Sequence, residues 1–177
     1  ANEALQITLR FAPGTLGIVT GILNIDGSTF TLSGSAANPP GVGSYQFEGI
    51  SGTVEPRQQV EVGLTLAEPY PLALSGTLTM DVTSDSFTTD PAVQFASSGR
   101  AVPFSIPANT TRAQFGNSGY RMRLQTGTVA GTITLTPSFS TQANVNVTPE
   151  TPLRHVLTVP PSPPRLLDAQ LTGRNEN

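Results

Sequence analysis

The chain has 177 residues, a net charge of −3, 37% hydrophobic and 12% charged residues, and no cysteine. This length is enough for one domain of ordinary size with residues left over, and the lack of cysteine excludes disulfides, thiolate catalysis and cysteine-based metal sites. All nine basic residues are arginines, and because no cluster of them predicts a basic patch, nucleic-acid binding is not expected.

Three strands are predicted near the N-terminus. Residues 5–11 alternate strictly between apolar and polar side chains, which predicts a strand with one buried face. A second strand is predicted over 20–25 and a returning strand over 29–34. Asp26 and Gly27 between them accept positive φ, which a two-residue hairpin turn requires. Three strands are too few to bury both faces of a sandwich, so we expect an incomplete domain here.

The middle of the chain carries many short strands with turn residues between them. We predict strands over 44–50, 59–66, 74–82, 92–96, 101–106, 111–115, 120–125, 129–136, 143–147 and 154–159. Turn signals recur at intervals of about 8–12 residues, which is typical of an antiparallel sandwich, and a barrel is the alternative. No stretch keeps a helical period. We therefore predict an all-β fold, an antiparallel immunoglobulin-like β-sandwich with additional flanking strands.

One strand motif occurs twice in this region, at residues 75–80 and 130–135. It consists of a small residue, Gly, Thr, an aliphatic residue, Thr and a second aliphatic residue. Its apolar residues alternate with threonines, the period of a strand with one face buried and one in water. Gly21, Gly76 and Gly131 each begin such a strand. Their flanking sequences do not match, so equivalent strands of related sandwiches explain the pattern better than a sequence repeat.

The N-terminal strands carry a recognisable pattern. Segment 7–13 with Gly17 has the form Phe-x-Pro-x-x-x-Gly, segment 20–25 the form x-Gly-x-Leu-x-Ile, and segment 30–35 ends in Leu-x-Gly-x. These segments resemble the closing strands of immunoglobulin-like repeats of the ASH and choice-of-anchor type in bacterial surface proteins. The early strands of such a repeat are absent, so the resemblance implies a truncated one.

A second resemblance covers residues 45–159 and is carried by segments 69–74, 106–111 and 124–133. This region is similar to immunoglobulin-like modules found next to such repeats in large secreted proteins of soil bacteria. Modules of this kind have no catalytic activity known to us. The resemblance therefore implies an architecture and a surface location, and it supplies no site residues.

These observations divide the chain into four parts. Residues 1–38 are predicted to hold the strands of an incomplete immunoglobulin-like repeat, and 39–44 a linker. Residues 45–159 are predicted to form the sandwich. Residues 160–177 begin as a stiff Pro-rich linker and continue as a donor strand or the first strand of a next domain. No apolar stretch approaches ~18 residues, so no membrane span is predicted.

Few side chains suit catalysis or metal binding. His155 is the only histidine, which leaves no multi-histidine metal site, and its strand pattern favours a structural role. Asp81, Asp85 and Asp90 could supply oxygens to calcium, although their spacing does not match an EF-hand. Acidic turn residues that hydrogen-bond their own backbone are the alternative.

Glutamates and tyrosines suggest a carbohydrate interpretation. Two glutamate pairs have the residue type that glycosidases use. These pairs are Glu48 with Glu55 and Glu61 with Glu68. The chain has no Trp to stack on sugars, which favours solvated glutamates without a catalytic role. Tyr45, Tyr70 and Tyr120 are either a weak carbohydrate-binding set or rings packed inward with the hydroxyl at the rim.

The sequence therefore predicts a non-catalytic structural or adhesive module of a secreted or cell-surface bacterial assembly, with no cofactor. Late strands at one end and an early strand at the other suggest a filament subunit, joined head-to-tail by β-strand donation. Neighbouring domains of the same protein are the alternative partners, and an extracellular carbohydrate- or calcium-binding module is the alternative function. The predicted donor residues are Leu166, Leu167, Ala169 and Leu171. The predicted acceptor residues are Leu5, Ile7, Leu9 and Phe11.

Overall fold

The structure of the chain, a computed structural model, describes residues 6–13, 15–49, 51–84, 90–97 and 99–161. Within these ranges the chain is all-β, and the 3-10 turn Gly116–Ser118 is the only helical element. The strands are β1 (Gly17–Ile25), β2 (Ser28–Ala36), β3 (Tyr45–Gly49), β4 (Gly52–Thr53), β5 (Gln59–Leu66), β6 (Leu74–Ser84), β7 (Gln94–Phe95), β8 (Ala101–Ile106), β9 (Met122–Gln125), β10 (Gly131–Thr141) and β11 (His155–Val159). In the described part of the chain, no helix is long and apolar enough to cross a membrane.

The chain divides into two compact units between Pro40 and Gly41. The division lies inside the predicted linker at 39–44. Val42, near the end of that linker, belongs to the second unit, because its side chain is buried and its N–H donates to the Val147 carbonyl at 2.9 Å. The predicted linker and donor strand at 160–177 lie outside the described residues from position 162 onward.

An antiparallel hairpin of β1 and β2 forms the regular part of the first unit. Its register places Ile25 opposite Ser28 at the turn. The turn residues Asp26 and Gly27 have φ values of 47° and 78°, which are the left-handed values that a two-residue hairpin turn needs. The predicted hairpin is confirmed, and both strands extend beyond their predicted bounds.

The strand predicted over 5–11 is wrong in its described part. Residues 6–13 have no strand conformation, and β1 and β2 form a sheet of two strands. The ring of Phe11 instead lies against Gly34 of β2, where it occupies the space that a side chain would fill. Leu9 and Phe11 line a depression on one face of the hairpin together with Val19 and Leu32, so the segment packs on that face and does not extend the sheet.

The second unit holds two sheets. One has the strand order β4-β11-β10-β6-β8 and the other the order β3-β5-β9-β7. Neighbouring strands are antiparallel except for β4 and β11, which run parallel. An all-β unit with two sheets around one core is consistent with the predicted β-sandwich.

A single hydrophobic cluster fills this unit. Buried and exposed residues alternate along β8, β9 and β11, as expected of strands with one face in a core. Rings join the two sheets: the Phe139 ring of β10 lies 5.2 Å from that of Tyr45 in β3, and His155 of β11 stacks on Phe47 at 4.9 Å between centroids. The sheets therefore face each other across the cluster.

Most predicted strands of the second unit are present. β5 and β8 have the predicted bounds 59–66 and 101–106. The strand predicted over 92–96 is reduced to the two residues of β7. β4 was not predicted, because its two residues, Gly52–Thr53, are too few to show an alternating pattern.

Residues 111–115 do not form the predicted strand. Arg112 forms a bridge with Thr65 of β5, whereas Gln114 forms one with Ser105 of β8. Since β5 and β8 belong to different sheets, this segment passes from one sheet to the other. Because it makes one isolated bridge to each sheet, the segment is not a continuous strand of either sheet.

Residues 143–147 also lack the predicted strand. The chain turns tightly after β10, where Asn144 has a φ of 59°, and the returning segment makes a single bridge to β10. Beyond it, the Thr148 hydroxyl accepts a hydrogen bond from the Phe139 N–H at 2.8 Å. A side-chain oxygen thus takes the place of the backbone carbonyl that a strand would have offered.

Candidate functional site

The residues predicted to accept a strand lie at the surface of the first unit. Ile7, Leu9 and Phe11 are 45%, 54% and 52% exposed, so each keeps about half of its surface in water. Leu5 lies outside the described residues. The four predicted donors, Leu166, Leu167, Ala169 and Leu171, also lie outside them.

The β1–β2 hairpin has one apolar face. Leu23 lies opposite Phe30, and Gly21 lies opposite Leu32. Because alternate residues of a strand share a face, Val19 lies on this face as well. The opposite face carries Thr20, Asn24, Thr29, Thr31 and Ser33, with the exposed Ile18 and Ile22.

A depression of about 500 Å³ lies on the apolar face of the hairpin. Leu9 and Phe11 line it together with Val19 and Leu32. Phe30 and Leu32 remain 50% and 37% exposed. Burying apolar surface is favourable by about 25 cal/mol per Å². Apolar side chains of a partner that covered this depression would therefore bind favourably.

Asp90, one of the three aspartates considered for calcium, points into the second unit and is 6% exposed. Its carboxylate accepts hydrogen bonds from the N–H groups of Ala92, Thr128 and Val129 and from the Thr128 hydroxyl. Burial raises the pKa of Asp90, but these hydrogen bonds outweigh burial and hold the pKa below its ordinary value. Asp85 is not described. Among the residues that are, no three acidic or histidine side chains gather as a metal site.

His155 and two of the three tyrosines lie in the core. His155 is 8% exposed, Tyr45 is 7% exposed and Tyr70 is 5% exposed. Burial raises the pKa of Tyr45, and its hydroxyl donates a hydrogen bond to the Leu153 carbonyl at 3.1 Å. Tyr120 differs because it is 46% exposed. Of the tyrosines weighed for sugar binding, Tyr120 is the one that a ligand at the surface can reach.

The fold brings together one glutamate from each predicted pair. Glu48 of β3 lies opposite Gly63 of β5, and Glu61, two residues from Gly63, points to the same side of the sheet. Glu55 and Glu68 are exposed in the turns that precede and follow β5. The two glutamates that share a surface, Glu48 and Glu61, therefore come from different predicted pairs.

Both face glutamates form ion pairs with arginines. Glu61 lies 2.9 Å from Arg123, and Glu48 lies 3.3 Å from Arg112 and 3.6 Å from Arg121. Sequence reasoning missed this gathering of arginines. The available signal was the spacing of Arg121 and Arg123 within a predicted strand, since alternation places both on one face.

Compared with models of known protein families the chain matches none, and no curated protein matches it. The resemblance to bacterial immunoglobulin-like repeats therefore stays a prediction. Two surfaces bear on the function, the apolar face of the hairpin and the charged face of the β3-β5-β9-β7 sheet.

Proposed function

We propose that this chain is a non-catalytic structural or adhesive module of a secreted or cell-surface assembly, joined to the next copy by β-strand donation. The observation that carries the proposal is the apolar face of the β1–β2 hairpin, which Leu9 and Phe11 cover only in part and on which Phe30 and Leu32 stay 50% and 37% exposed. Thirteen large hydrophobic residues are exposed in the described part of the chain, and eight of them precede Pro40. Four of the eight, Leu9, Phe11, Phe30 and Leu32, lie on or against this face, whereas Ile18 and Ile22 lie on the opposite one. Such a concentration of exposed apolar surface is typical of an interaction site.

The backbone of the hairpin supports the same proposal. A two-stranded hairpin is at best marginally stable alone in water, and its edges present unpaired N–H and C=O groups. Among the described residues, no third strand pairs with β1 or β2. An added strand would pair with one of these edges, and its side chains would extend the cover over Phe30 and Leu32.

The strand that we propose as donor is residues 165–172 of a neighbouring copy. These residues lie outside the described ranges, and their sequence supports the proposal: Leu167, Ala169 and Leu171 alternate with polar residues. A Pro-rich segment before them favours an extended chain. A donor that pairs with the next copy creates a head-to-tail contact, and such contacts build a filament unless the rotation closes a ring.

We infer further that the second unit has an immunoglobulin-like topology. The order β3-β5-β9-β7 corresponds to strands A, B, E and D, and the order β6-β10-β11 corresponds to strands C, F and G. β8 extends the second of these sheets next to β6, where variable-type domains add strand C′. One departure is that β7, the equivalent of strand D, precedes β8 along the chain. Many cell-surface domains share this sandwich architecture, which supports the proposed location.

The contacts of the acidic side chains and of His155 support the non-catalytic part of the proposal. Asp90 is held by backbone and side-chain donors. Glu48 and Glu61 are paired with arginines, and His155 is stacked in the core. Each of these groups makes a contact within the fold.

Two adjacent residues of β2 provide the test of strand donation. Leu32 lies on the apolar face and Thr31 on the opposite face. We expect the unaltered chain and the Thr31→Asp variant to form oligomers whose mass rises with concentration. The Leu32→Asp variant should remain monomeric, because a carboxylate on the apolar face opposes burial by a donor strand. Size-exclusion chromatography with light scattering measures the mass, and negative-stain electron microscopy shows whether filaments form.

A chain that ends at Pro161 is the complementary control, because it keeps the acceptor hairpin and lacks the donor. We expect it to be monomeric and to bind a synthetic peptide of residues 162–177. If the unaltered chain stays monomeric at every concentration, strand donation between copies is wrong. Strands of a neighbouring domain would then be the partner of the hairpin.

A further inference from the structure

The outer face of the β3-β5-β9-β7 sheet is polar along its length. Cross-strand pairing places its residues in rows: Gln59, Gln125 and Gln94 form one row, and Glu61 with Arg123 forms the next. All five side chains donate or accept hydrogen bonds. A polar surface of this kind suits a ligand that is itself rich in hydrogen-bonding groups.

Three arginines meet on this face although they are spread along the sequence. Arg121 and Arg123 are two residues apart at β9, so both point outward. Arg112 lies opposite Thr65 of β5. β9 pairs with the first half of β5, and Arg112 pairs beside its second half. This arrangement forms the basic patch that the sequence did not predict.

The charges on this face do not cancel. Three guanidinium groups are paired with two carboxylates, those of Glu48 and Glu61, which leaves one positive charge in excess. The side chains of Arg112, Arg121 and Arg123 are 47%, 49% and 64% exposed. Each guanidinium has five N–H donors, so donors beyond those used in the ion pairs are available to a ligand.

Glu48 positions two of these arginines. The hydrogen bond from the Thr65 hydroxyl, followed by the charges of Arg112 and Arg121, holds the pKa of Glu48 below its ordinary value although partial burial raises it. Glu48 is therefore ionised at neutral pH. Its carboxylate keeps the two guanidinium groups side by side.

Three depressions join along this face. The central one, of about 650 Å³, is lined by the three arginines, Glu61 and Tyr120. A second, of about 380 Å³, shares Arg112 and Tyr120 with it. A third, of about 250 Å³, shares Arg123 with the central one and reaches the glutamine row. Because neighbouring depressions share lining residues, we treat them as one groove. Residues 59–65 of β5, which follow this face, extend about 20 Å, at roughly 3.3 Å per residue.

We propose that this groove binds an acidic polysaccharide whose sugar units carry carboxylate groups. Guanidinium groups bind carboxylates through two parallel hydrogen bonds. The amides of Gln59, Gln94 and Gln125 both donate to and accept from hydroxyl groups. Tyr120 has the guanidinium of Arg112 over one face of its ring, 4.5 Å from the centroid. The ring is still 46% exposed, and exposed aromatic surface packs against the apolar faces of sugars.

Two other polymers fit this groove less well. A protein segment is normally anchored by large side chains in apolar pockets, whereas the side chains that project from this face into the groove are three arginines, three glutamines and Glu61. A nucleic acid requires many uncompensated positive charges along its backbone, and this patch has an excess of one. The proposed binding is independent of strand donation, because all of its residues belong to the second unit.

The test is calorimetric titration of the full chain with oligogalacturonate at low ionic strength, using two arginine variants of equal charge. Arg121→Gln removes a guanidinium from the groove. Arg154→Gln removes one from an exposed position before β11, in the other sheet. We expect Arg121→Gln to weaken binding by roughly tenfold or more and Arg154→Gln to leave the affinity unchanged. Both variants should stay folded, because an exposed ion pair contributes only about 0–1 kcal/mol.

Four further titrations separate the alternatives. A Tyr120→Ala variant should also bind oligogalacturonate more weakly, and a neutral dextran should not bind. Equal binding of sulfated dextran would overturn the carboxylate specificity. Equal binding of polyglutamate would overturn the saccharide and indicate an acidic protein partner. Failure of the unaltered chain to bind oligogalacturonate, or equal losses in Arg121→Gln and Arg154→Gln, would overturn the site while leaving strand donation unaffected.

Discussion

Replacing Asp90 with alanine should lower the free energy of unfolding of the second unit by about 2–4 kcal/mol at neutral pH. The carboxylate accepts hydrogen bonds from the N–H groups of Ala92, Thr128 and Val129, and alanine offers no acceptor in its place. Asp90 is 6% exposed, so water replaces these bonds only in part. The substitution therefore separates the turn after position 90 from residues 128 and 129.

Urea denaturation followed by tyrosine fluorescence measures this effect. The chain has 3 tyrosines and no Trp, and Tyr45, Tyr70 and Tyr120 all belong to the second unit. Asp90→Asn is the matched control: it keeps one acceptor oxygen and should lose less stability than Asp90→Ala. Equal stability of Asp90→Ala and the unaltered chain would show that these hydrogen bonds contribute little.

The same carboxylate makes stability depend on pH. Because the pKa of Asp90 is lower in the folded chain than its ordinary value of 3.8, the folded state favours the ionised form. Its contribution to stability is fully present above that ordinary value and is lost as the pH falls through the lower folded pKa. We expect the stability difference between the unaltered chain and Asp90→Asn to shrink between about pH 5 and pH 2. A difference that stays constant over this range would contradict the assigned shift.

Replacing Gly76 with alanine should destabilise the second unit by about 1–3 kcal/mol, the usual cost of overpacking. A β-carbon at Gly76 would overlap the Phe104 ring and the backbone carbonyl oxygen of Ser138. Phe104 is 4% exposed and packs against the Phe139 and Phe115 rings, so it has little room to move. The carbonyl belongs to β10, which pairs with β6 along the whole strand.

Gly43→Ala is the control for this substitution, because a β-carbon there meets nothing within 4 Å and the residue lies in the same unit. We expect it to change stability by less than about 0.5 kcal/mol. Thermal unfolding monitored by tyrosine fluorescence compares the two variants. A Gly76→Ala protein as stable as Gly43→Ala would mean that β10 and Phe104 yield more readily than the packing indicates.

The repeated strand motif shows how far sequence reasoning reaches. Both copies were predicted as half-buried strands, and both are strands, in β6 and β10. The sequence did not show that these strands pair with each other antiparallel, so that the two copies begin at opposite ends of one ladder. Gly21 begins a similar segment but has open space around it. Three glycines in similar sequences thus differ in the atoms that surround them, because strand pairing decides which residues lie beside each glycine.

The same distinction applies to both candidate surfaces. Strict alternation over 5–11 predicted a strand, yet Phe11 lies across the hairpin face against Gly34. Alternation predicts which side chains share one face of an extended segment. It does not predict whether the backbone of that segment pairs with the edge of a sheet. Arg112 and Arg121 both contact Glu48 because β3, which carries Glu48, and the segments that carry the arginines all lie beside β5. The spacing of these residues along the chain does not show this contact.

By itself, the sequence determined the all-β class, the β1–β2 hairpin with its Asp26-Gly27 turn, and the bounds of β5 and β8. These features follow from local rules, since side-chain alternation and turn chemistry act over a few residues. The tertiary structure alone decided that Asp90 faces inward, that Gly76 has no room for a side chain, and that three arginines line one groove. Each of these depends on contacts between residues far apart in the chain, which form only when the sheets assemble.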